Sequence, residues 1–124
     1  MDSLYQEHIL DHYKHPRNKR EMDDADVVQR GKNVSCGDDL TWYVKWEEKG
    51  GSQRVADVSF SGYGCALSQS GASMLSLVLK GKTKEEVAAL TREDMLALFH
   101  ADIGHMREKC ALLPLSTIKE LLKQ

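Results

Sequence analysis

Several features that would place this 124-residue chain in a specialised class are missing from it. No apolar run approaches the roughly 20 residues that a membrane-spanning helix requires, so we expect no membrane association. The formal net charge is −2, which leaves no strong basic field to attract nucleic acid. The first residues carry no basic segment followed by an apolar one. We therefore expect no secretory signal and a cytoplasmic protein.

Cysteine is also scarce: the chain has three, Cys36, Cys65 and Cys110, and they lie far apart in the sequence. An odd number of cysteines in a reducing compartment argues against a framework of disulfides. No Cys-x-x-Cys pair is present, which excludes a zinc ribbon and a thioredoxin-type redox site. Two interpretations remain. The cysteines are small buried apolar residues, or they bind a metal ion or an iron–sulfur cluster together.

The composition is that of one globular domain. Hydrophobic residues make up 41% of the chain and charged residues 29%, and we find no internal repeat, low-complexity tract or linker. We therefore expect a single domain over residues 1–124. The order of the predicted elements, a helix, then strands, then helices, indicates an α+β fold. We expect a small three-stranded antiparallel sheet with helices packed on it.

Hydrophobic periodicity places the elements. A helix with Leu4, Tyr5, Ile9 and Tyr13 on one face is predicted over residues 3–14, with Ser3 as its N-cap. Strands are predicted over residues 27–32, 40–47 and 54–61, the last two joined by a hairpin turn at 49–52. Further helices are predicted over residues 65–80, 85–90, 92–99 and 111–123.

Three details of these elements can be checked. In the third strand, strict alternation places Val55, Asp57 and Ser59 on one face and Ala56, Val58 and Phe60 on the other. Thr83 and Glu86 are expected to form a capping box. Pro114 is expected to lie in the first turn of the last helix, where proline is tolerated.

The surroundings of the cysteines favour the metal interpretation. Gly37 separates Cys36 from Asp38, and a tight turn at this glycine would direct both side chains to one point. Cys65 lies where a glycine-rich turn enters a helix, and Cys110 lies just before the last helix. Helix N-termini stabilise thiolates, so we expect depressed cysteine pKa values. Three thiolates and the Asp38 carboxylate make a four-ligand set, in which the oxygen is the weakest ligand.

The chain resembles the iron–sulfur scaffold family known as IscU, NifU (N-terminal part) and SufU. The resemblance covers nearly the whole sequence and preserves the order of several motifs. These motifs are Leu4-Tyr5-x-x-x-Ile9-Leu10-Asp11-His12-Tyr13-Lys14-His15-Pro16-Arg17-Asn18, Asn33-x-x-Cys36-Gly37-Asp38, Gly62-x-Gly64-Cys65-Ala66, Ser70 through Met74, and Lys109-Cys110-Ala111.

This resemblance implies that Cys36, Asp38, Cys65 and Cys110 gather at one exposed end of the fold. It implies a protein that accepts sulfur from a cysteine desulfurase and binds iron, a transient [2Fe–2S] cluster or zinc through these residues. Recipient apo iron–sulfur proteins or carrier proteins are the other implied partners. The sulfur acceptor would be Cys110 in an IscU-like route and Cys36 in a SufU-like route. Such a scaffold is not an enzyme in the strict sense.

The branch of the family stays open. The IscU branch has a histidine where this chain has Lys109, and a Leu-Pro-Pro-Val-Lys segment where this chain has residues 103–107. The sequence around Cys110 resembles the SufU branch instead, but the insertion of about twenty residues typical of that branch has little room between Cys65 and Cys110. The alternative function is therefore a zinc-dependent sulfurtransferase that relays persulfide sulfur without building a cluster.

The histidines offer two weaker candidates. His8 and His12 share a helix face, but no glutamate follows His8 to complete a zinc-protease motif, which argues against a zinc hydrolase. We interpret this pair as structural. His105 precedes Cys110 by five residues and is an alternative exchange ligand, although a solvated loop histidine is the commoner case.

Overall fold

The computed structural model describes residues 3–124, with side chains from Gln6 onward. The predicted capping by Ser3 and the predicted packing of Leu4 and Tyr5 therefore concern side chains outside the described set. Within residues 3–124, no helix combines the length and apolar character needed to cross a membrane.

The elements follow the predicted α+β order. The chain forms α1 (Ser3–Lys14), β1 (Val27–Asn33), β2 (Asp38–Lys49), β3 (Ser52–Tyr63), α2 (Ala66–Leu79), α3 (Lys84–Ala88), α4 (Arg92–Ala97) and α5 (Glu108–Leu121). Single 3-10 turns at Val34–Cys36 and His105–Arg107 precede β2 and α5. The strands form one antiparallel sheet in the order β1-β2-β3. The expected three-stranded sheet with helices packed on it is thus confirmed.

The core lies between one face of the sheet and helices α2 and α5. Helix α5 packs on β1 and β2, α2 packs on β3 and on α5, and α1 covers α2. The centre of this layer is Trp42, which is fully buried and contacts Phe60 edge-to-face. Its indole Nε1–H donates a hydrogen bond of 3.0 Å to the Pro114 carbonyl, so the buried polar group of this large side chain is satisfied.

The predicted alternation along β3 is wrong at Val55. Lys45 pairs with Asp57 and Trp46 pairs with Val55, so Ala56 is an extra residue on the β3 side. This β-bulge shifts the alternation by one residue. Val55 is therefore buried on the same face as Val58 and Phe60, the residues that strict alternation places opposite it.

Helix α5 begins earlier than predicted. It starts at Glu108, so Cys110 lies inside its first turn and not before it, and Pro114 lies well inside the helix. Proline has no N–H, so the Cys110 carbonyl receives no helical hydrogen bond from residue 114. The prediction that Pro114 occupies the first turn is wrong.

The hairpin turn and the helix caps agree with the sequence. The hairpin turn uses Gly50 and Gly51, both with positive φ, as a two-residue type I′ turn requires. Thr83 and Glu86 form the predicted capping box at α3. A second capping box, from Thr91 to Asp94, starts α4.

Candidate metal centre

The topology brings three distant segments to one end of the sheet. In the antiparallel pairing Asn33, the last residue of β1, lies opposite Asp38, the first residue of β2. On the other side of β2, Asp39 lies opposite Tyr63, where β3 ends and the chain turns into α2. The first turn of α5 completes this end, because the Asn33 amide lies against the Cys110 thiol.

The turn between β1 and β2 has the geometry that the sequence predicts. Gly37 adopts a left-handed φ of 70°, which reverses the chain between Cys36 and Asp38. Cys36 is exposed on this turn, whereas Asp38 is buried with 3% exposure. One candidate ligand therefore faces solvent and the next lies beneath the surface.

The two oxygens of the Asp38 carboxylate have different surroundings. Oδ1 accepts a hydrogen bond of 2.8 Å from the Cys65 backbone N–H and lies 3.0 Å from the Ser68 hydroxyl. Oδ2 is buried and has no hydrogen-bond partner among the residues that the structure describes. A buried carboxylate oxygen without a partner is costly, and coordination of a cation is one way to satisfy it.

Three candidate ligands already lie close together. One ligand atom each from Cys36, Asp38 and Cys110 lies within 4.8 Å of the other two. Cys65 is outside this group, although its backbone N–H contacts the Asp38 carboxylate and its thiol interacts with the Cys110 thiol. The structure therefore brings together three of the four predicted ligands, and Cys65 lies next to them at the N-terminus of α2.

The expected depression of the cysteine pKa is wrong for Cys110. This thiol is 1% exposed, and its burial, together with its interactions with Cys36 and Cys65, raises its pKa. Desolvation outweighs the favourable position at the helix N-terminus. The Asn33 amide nitrogen, 3.8 Å from Cys110 Sγ, is a donor directed at this sulfur. A metal ion bound by the Cys110 sulfur would lower this pKa, because coordination deprotonates a thiol.

The model of the NifU-like N-terminal domain matches residues 4–124. This chain belongs to that family. Its alignment with the iron–sulfur cluster assembly scaffold protein IscU of Thermotoga maritima is 137 positions long and 34% identical, and it covers 98% of this chain and 94% of that protein. The zinc-dependent sulfurtransferase SufU of Bacillus subtilis is 37% identical over 92 residues, covering 74% of this chain and 59% of that protein.

A solved structure extends the likeness to three dimensions. The putative scaffold protein for the SUF system from Fervidobacterium islandicum AW-1 superposes with a TM-score of 0.79 at 31% identity, covering 97% of both chains. The fold of this NifU-like domain is therefore shared with a solved relative over nearly its full length.

Large apolar side chains border the candidate site of this NifU-like domain. Val34, Tyr63 and Met106 are all exposed, Val34 by 87% and Met106 by 89%. Val34 and Tyr63 line a shallow cleft beside Asp38, and Met106 lines another beside Cys36. Exposed apolar groups concentrated beside a site are typical of surfaces that a protein partner covers.

The sequence alone indicates no role for Ser68 or Asn33, although both contact candidate ligands. Ser68 contacts the Asp38 carboxylate and Asn33 contacts the Cys110 thiol. Ser68 is one of four serines on α2, and it lies outside the Ser70 through Met74 motif that carries part of the resemblance. The signal for Asn33 was its place in the Asn33-x-x-Cys36 motif.

The contacts of His8 and His12 lie outside the cysteine group. The His12 ring contacts the Ser73 hydroxyl at 2.7 Å, and His8 Nε2 lies 3.1 Å from the Leu98 carbonyl. The His8 ring packs edge-on against the rings of both His12 and His100. These contacts agree with a structural role for the His8–His12 pair. His105 is exposed and lines the same cleft as Cys36.

Proposed function

We propose that this chain is a scaffold for iron–sulfur cluster assembly that accepts sulfur from a cysteine desulfurase. The observation that carries the proposal is the buried, unpartnered Oδ2 of Asp38 within a group that includes the Cys36 and Cys110 thiols. Two thiols and a carboxylate are a donor set for iron or zinc. The IscU relative from Thermotoga maritima, named as such a scaffold, supports this function.

The proposed ligands are Cys36, Asp38, Cys65 and Cys110. Iron or a transient [2Fe–2S] cluster is the cargo that they hold, and zinc binds to the same residues when no cluster is present. Thiolates bind iron and zinc strongly, whereas the single carboxylate oxygen is the ligand that opens most readily. A scaffold must release what it assembles, and a mixed ligand set serves that purpose.

Cys36 is the proposed entry point for sulfur. It is exposed, whereas Cys110 is buried. The Cys36 thiolate would attack the outer sulfur of the desulfurase persulfide, forming a new S–S bond and releasing the desulfurase thiolate. Cys110 lies in the same ligand group and is the second candidate acceptor.

The exposed apolar border of the site supports a protein partner. Val34, Tyr63 and Met106 surround the ligands and would be covered by a bound desulfurase, and later by recipient apo iron–sulfur proteins or carrier proteins. We place the protein in the cytoplasm, since its three unpaired cysteines suit a reducing compartment. The family match over residues 4–124 supports a single-domain organisation.

Anaerobic reconstitution tests the function. The purified chain is incubated with iron, cysteine and a cysteine desulfurase, and cluster formation is followed by visible absorbance while sulfide release reports desulfurase turnover. The chain is expected to acquire a cluster and to stimulate turnover. Cys36→Ser should lose the stimulation, and Ser35→Ala, at the neighbouring exposed position, should retain it. No cluster together with no stimulation would overturn the proposal.

A zinc-dependent sulfurtransferase without cluster assembly is the second candidate. The 37% identity to SufU of Bacillus subtilis, which carries that name, favours it. The two candidates share their ligands but differ in metal. Metal content after purification, with desulfurase stimulation measured before and after zinc removal, separates them. Stimulation that depends on zinc, with no cluster on reconstitution, would favour the sulfurtransferase.

A further inference from the structure

Ser68 occupies a buried position against the candidate metal ligand Asp38. The serine is fully buried in the first turn of α2, and its Oγ lies 3.0 Å from Asp38 Oδ1. The Cys65 backbone N–H donates to the same oxygen at 2.8 Å. Both contacts converge on Oδ1, so the carboxylate is held on one side, and its other oxygen, Oδ2, is left without a partner in residues 3–124.

The Ser68 hydroxyl has two acceptors within reach and one proton to donate. Besides Asp38 Oδ1, its oxygen lies 3.1 Å from the Cys65 carbonyl. A carboxylate accepts a stronger hydrogen bond than a neutral carbonyl. The first turn of α2 also directs its positive end toward the carboxylate. The hydroxyl proton therefore goes to Asp38 whenever this side chain is ionised.

We propose that Ser68 is a positioning residue that restricts Asp38 to metal ligation through Oδ2 alone. The terminal torsion of an aspartate is broad, so an unrestrained carboxylate can turn both of its oxygens toward a metal ion. The bonds from Ser68 and from Cys65 oppose that rotation. Ser68 thus holds one carboxylate oxygen against the start of α2, leaves the other free for a metal ion, and keeps the carboxylate a one-oxygen ligand.

This inference rests on the proposed function, because it assigns Ser68 a task in the same metal centre. It extends that function to a residue outside the ligand set. Outer-shell partners of metal ligands typically change metal affinity by about 10–100-fold when they are removed. We expect a loss of that size for Ser68→Ala.

The test is titration of the metal-free full chain with Zn²⁺ and Co²⁺ alone, without desulfurase. Ser70→Ala is the matched control, because Ser70 is buried on the same helix and its hydroxyl lies 3.5 Å from the Leu67 carbonyl. Ser68→Ala should bind both ions about 10–100-fold more weakly and shift the visible spectrum of bound Co²⁺. Ser70→Ala should match the unmodified chain in both readouts.

A double-mutant cycle separates positioning from a general structural role. If Ser68 acts through Asp38, Ser68→Ala should cause almost no further loss of affinity in an Asp38→Ala background. Equal losses in both backgrounds, or a Co²⁺ spectrum and affinity like those of Ser70→Ala, would overturn the inference while leaving the metal centre intact. An unmodified chain that binds neither ion would overturn the metal centre itself, and this inference with it.

Discussion

Gly64 lies directly against the carboxylate of Asp38. A Cβ atom at Gly64 would come within 2.3 Å of Asp38 Oδ1, far closer than two such atoms can approach. It would also come within 2.6 Å of the Ser68 hydroxyl oxygen. The absence of a side chain at position 64 is therefore what allows the start of α2 to close over the acidic ligand.

Gly64→Ala should weaken the metal centre and also strain the backbone, because Gly64 has a φ of 159°, which residues with a side chain rarely adopt. The new methyl group must push Asp38 away from its hydrogen-bond donors, so the affinity for Zn²⁺ should fall by about tenfold or more. Gly104→Ala is the matched control, since a Cβ there meets nothing within 4 Å. Zinc titrations of both variants, with thermal unfolding of the metal-free forms, provide the comparison. Unchanged affinity in Gly64→Ala would contradict the packing described.

Asp38→Cys should slow the release of a cluster. A fourth thiolate binds iron more tightly than a carboxylate oxygen does, so the cluster is held more firmly. We expect transfer to an apo ferredoxin to slow by about tenfold or more, which corresponds to a rise of about 1.4 kcal/mol in the barrier. The decay of the donor spectrum during transfer measures this rate.

Asp39→Asn is the control for that substitution. Asp39 neighbours Asp38 in sequence, but its carboxylate pairs with the Arg30 guanidinium at 2.9 Å. The rate of cluster transfer from Asp39→Asn should equal that from the unmodified chain. Equal rates in Asp38→Cys and the unmodified chain would show that the oxygen ligand does not govern release.

His12 should make the fold sensitive to acid. Burial of the ring lowers its pKa, the positive charges of Arg17 and His8 lower it further, and Asp11 opposes them. The unfolded chain therefore binds a proton at a higher pH than the folded chain does. The contribution of neutral His12 to the free energy of unfolding is fully present above the unfolded pKa of about 6.5. It is lost as the pH falls through that value toward the lower pKa of the folded chain.

Chemical denaturation at several pH values checks this sign. The free energy of unfolding should fall between about pH 7.5 and about pH 5.5 in the unmodified chain, and fall less steeply in His12→Gln. His15→Gln, at an exposed position of the same region, should keep the original slope. An identical slope in His12→Gln would remove His12 as the source of the acid sensitivity.

Gly31→Ala should destabilise the contact between β1 and α5. A Cβ at Gly31 would lie 2.1 Å from Thr117 Oγ1, and Thr117 is buried and bonded to the Leu113 carbonyl at 2.8 Å. Overpacking of this kind costs about 1–3 kcal/mol. Urea denaturation measures the loss, again with Gly104→Ala as the reference. A loss well below that range would mean that α5 shifts to accommodate the methyl group.

Much of this fold is visible in local sequence patterns. The capping box from Thr83 to Glu86, the Gly50-Gly51 turn and the period of the helices all depend on residues close in the chain. The wrong predictions concern the alternation along β3 and the start of α5. The bulge at Ala56 depends on the pairing of β3 with β2, and the early start of α5 places Cys110 within a helix.

The candidate site divides in the same way. Motif resemblance predicts Cys36, Asp38, Cys65 and Cys110 as a group, but not that Cys65 lies outside the close group of the other three. Sequence position suggested a depressed pKa at Cys110, whereas tertiary burial raises it. The contact between Ser68 and Asp38 joins residues from α2 and β2, and no local pattern encodes such a contact.

The candidate ligands come from three segments that are remote in the chain: the turn into β2 with the first residue of that strand, the junction of β3 with α2, and the first turn of α5. An ion held by all of them acts as a removable cross-link between the sheet and two helices. By mass action, an ion at a concentration 100 times its Kd adds about 2.7 kcal/mol to the free energy of unfolding. Release of the ion or cluster thus returns the protein to its less stable form. A thermal unfolding curve therefore also reports how much of the metal site is occupied.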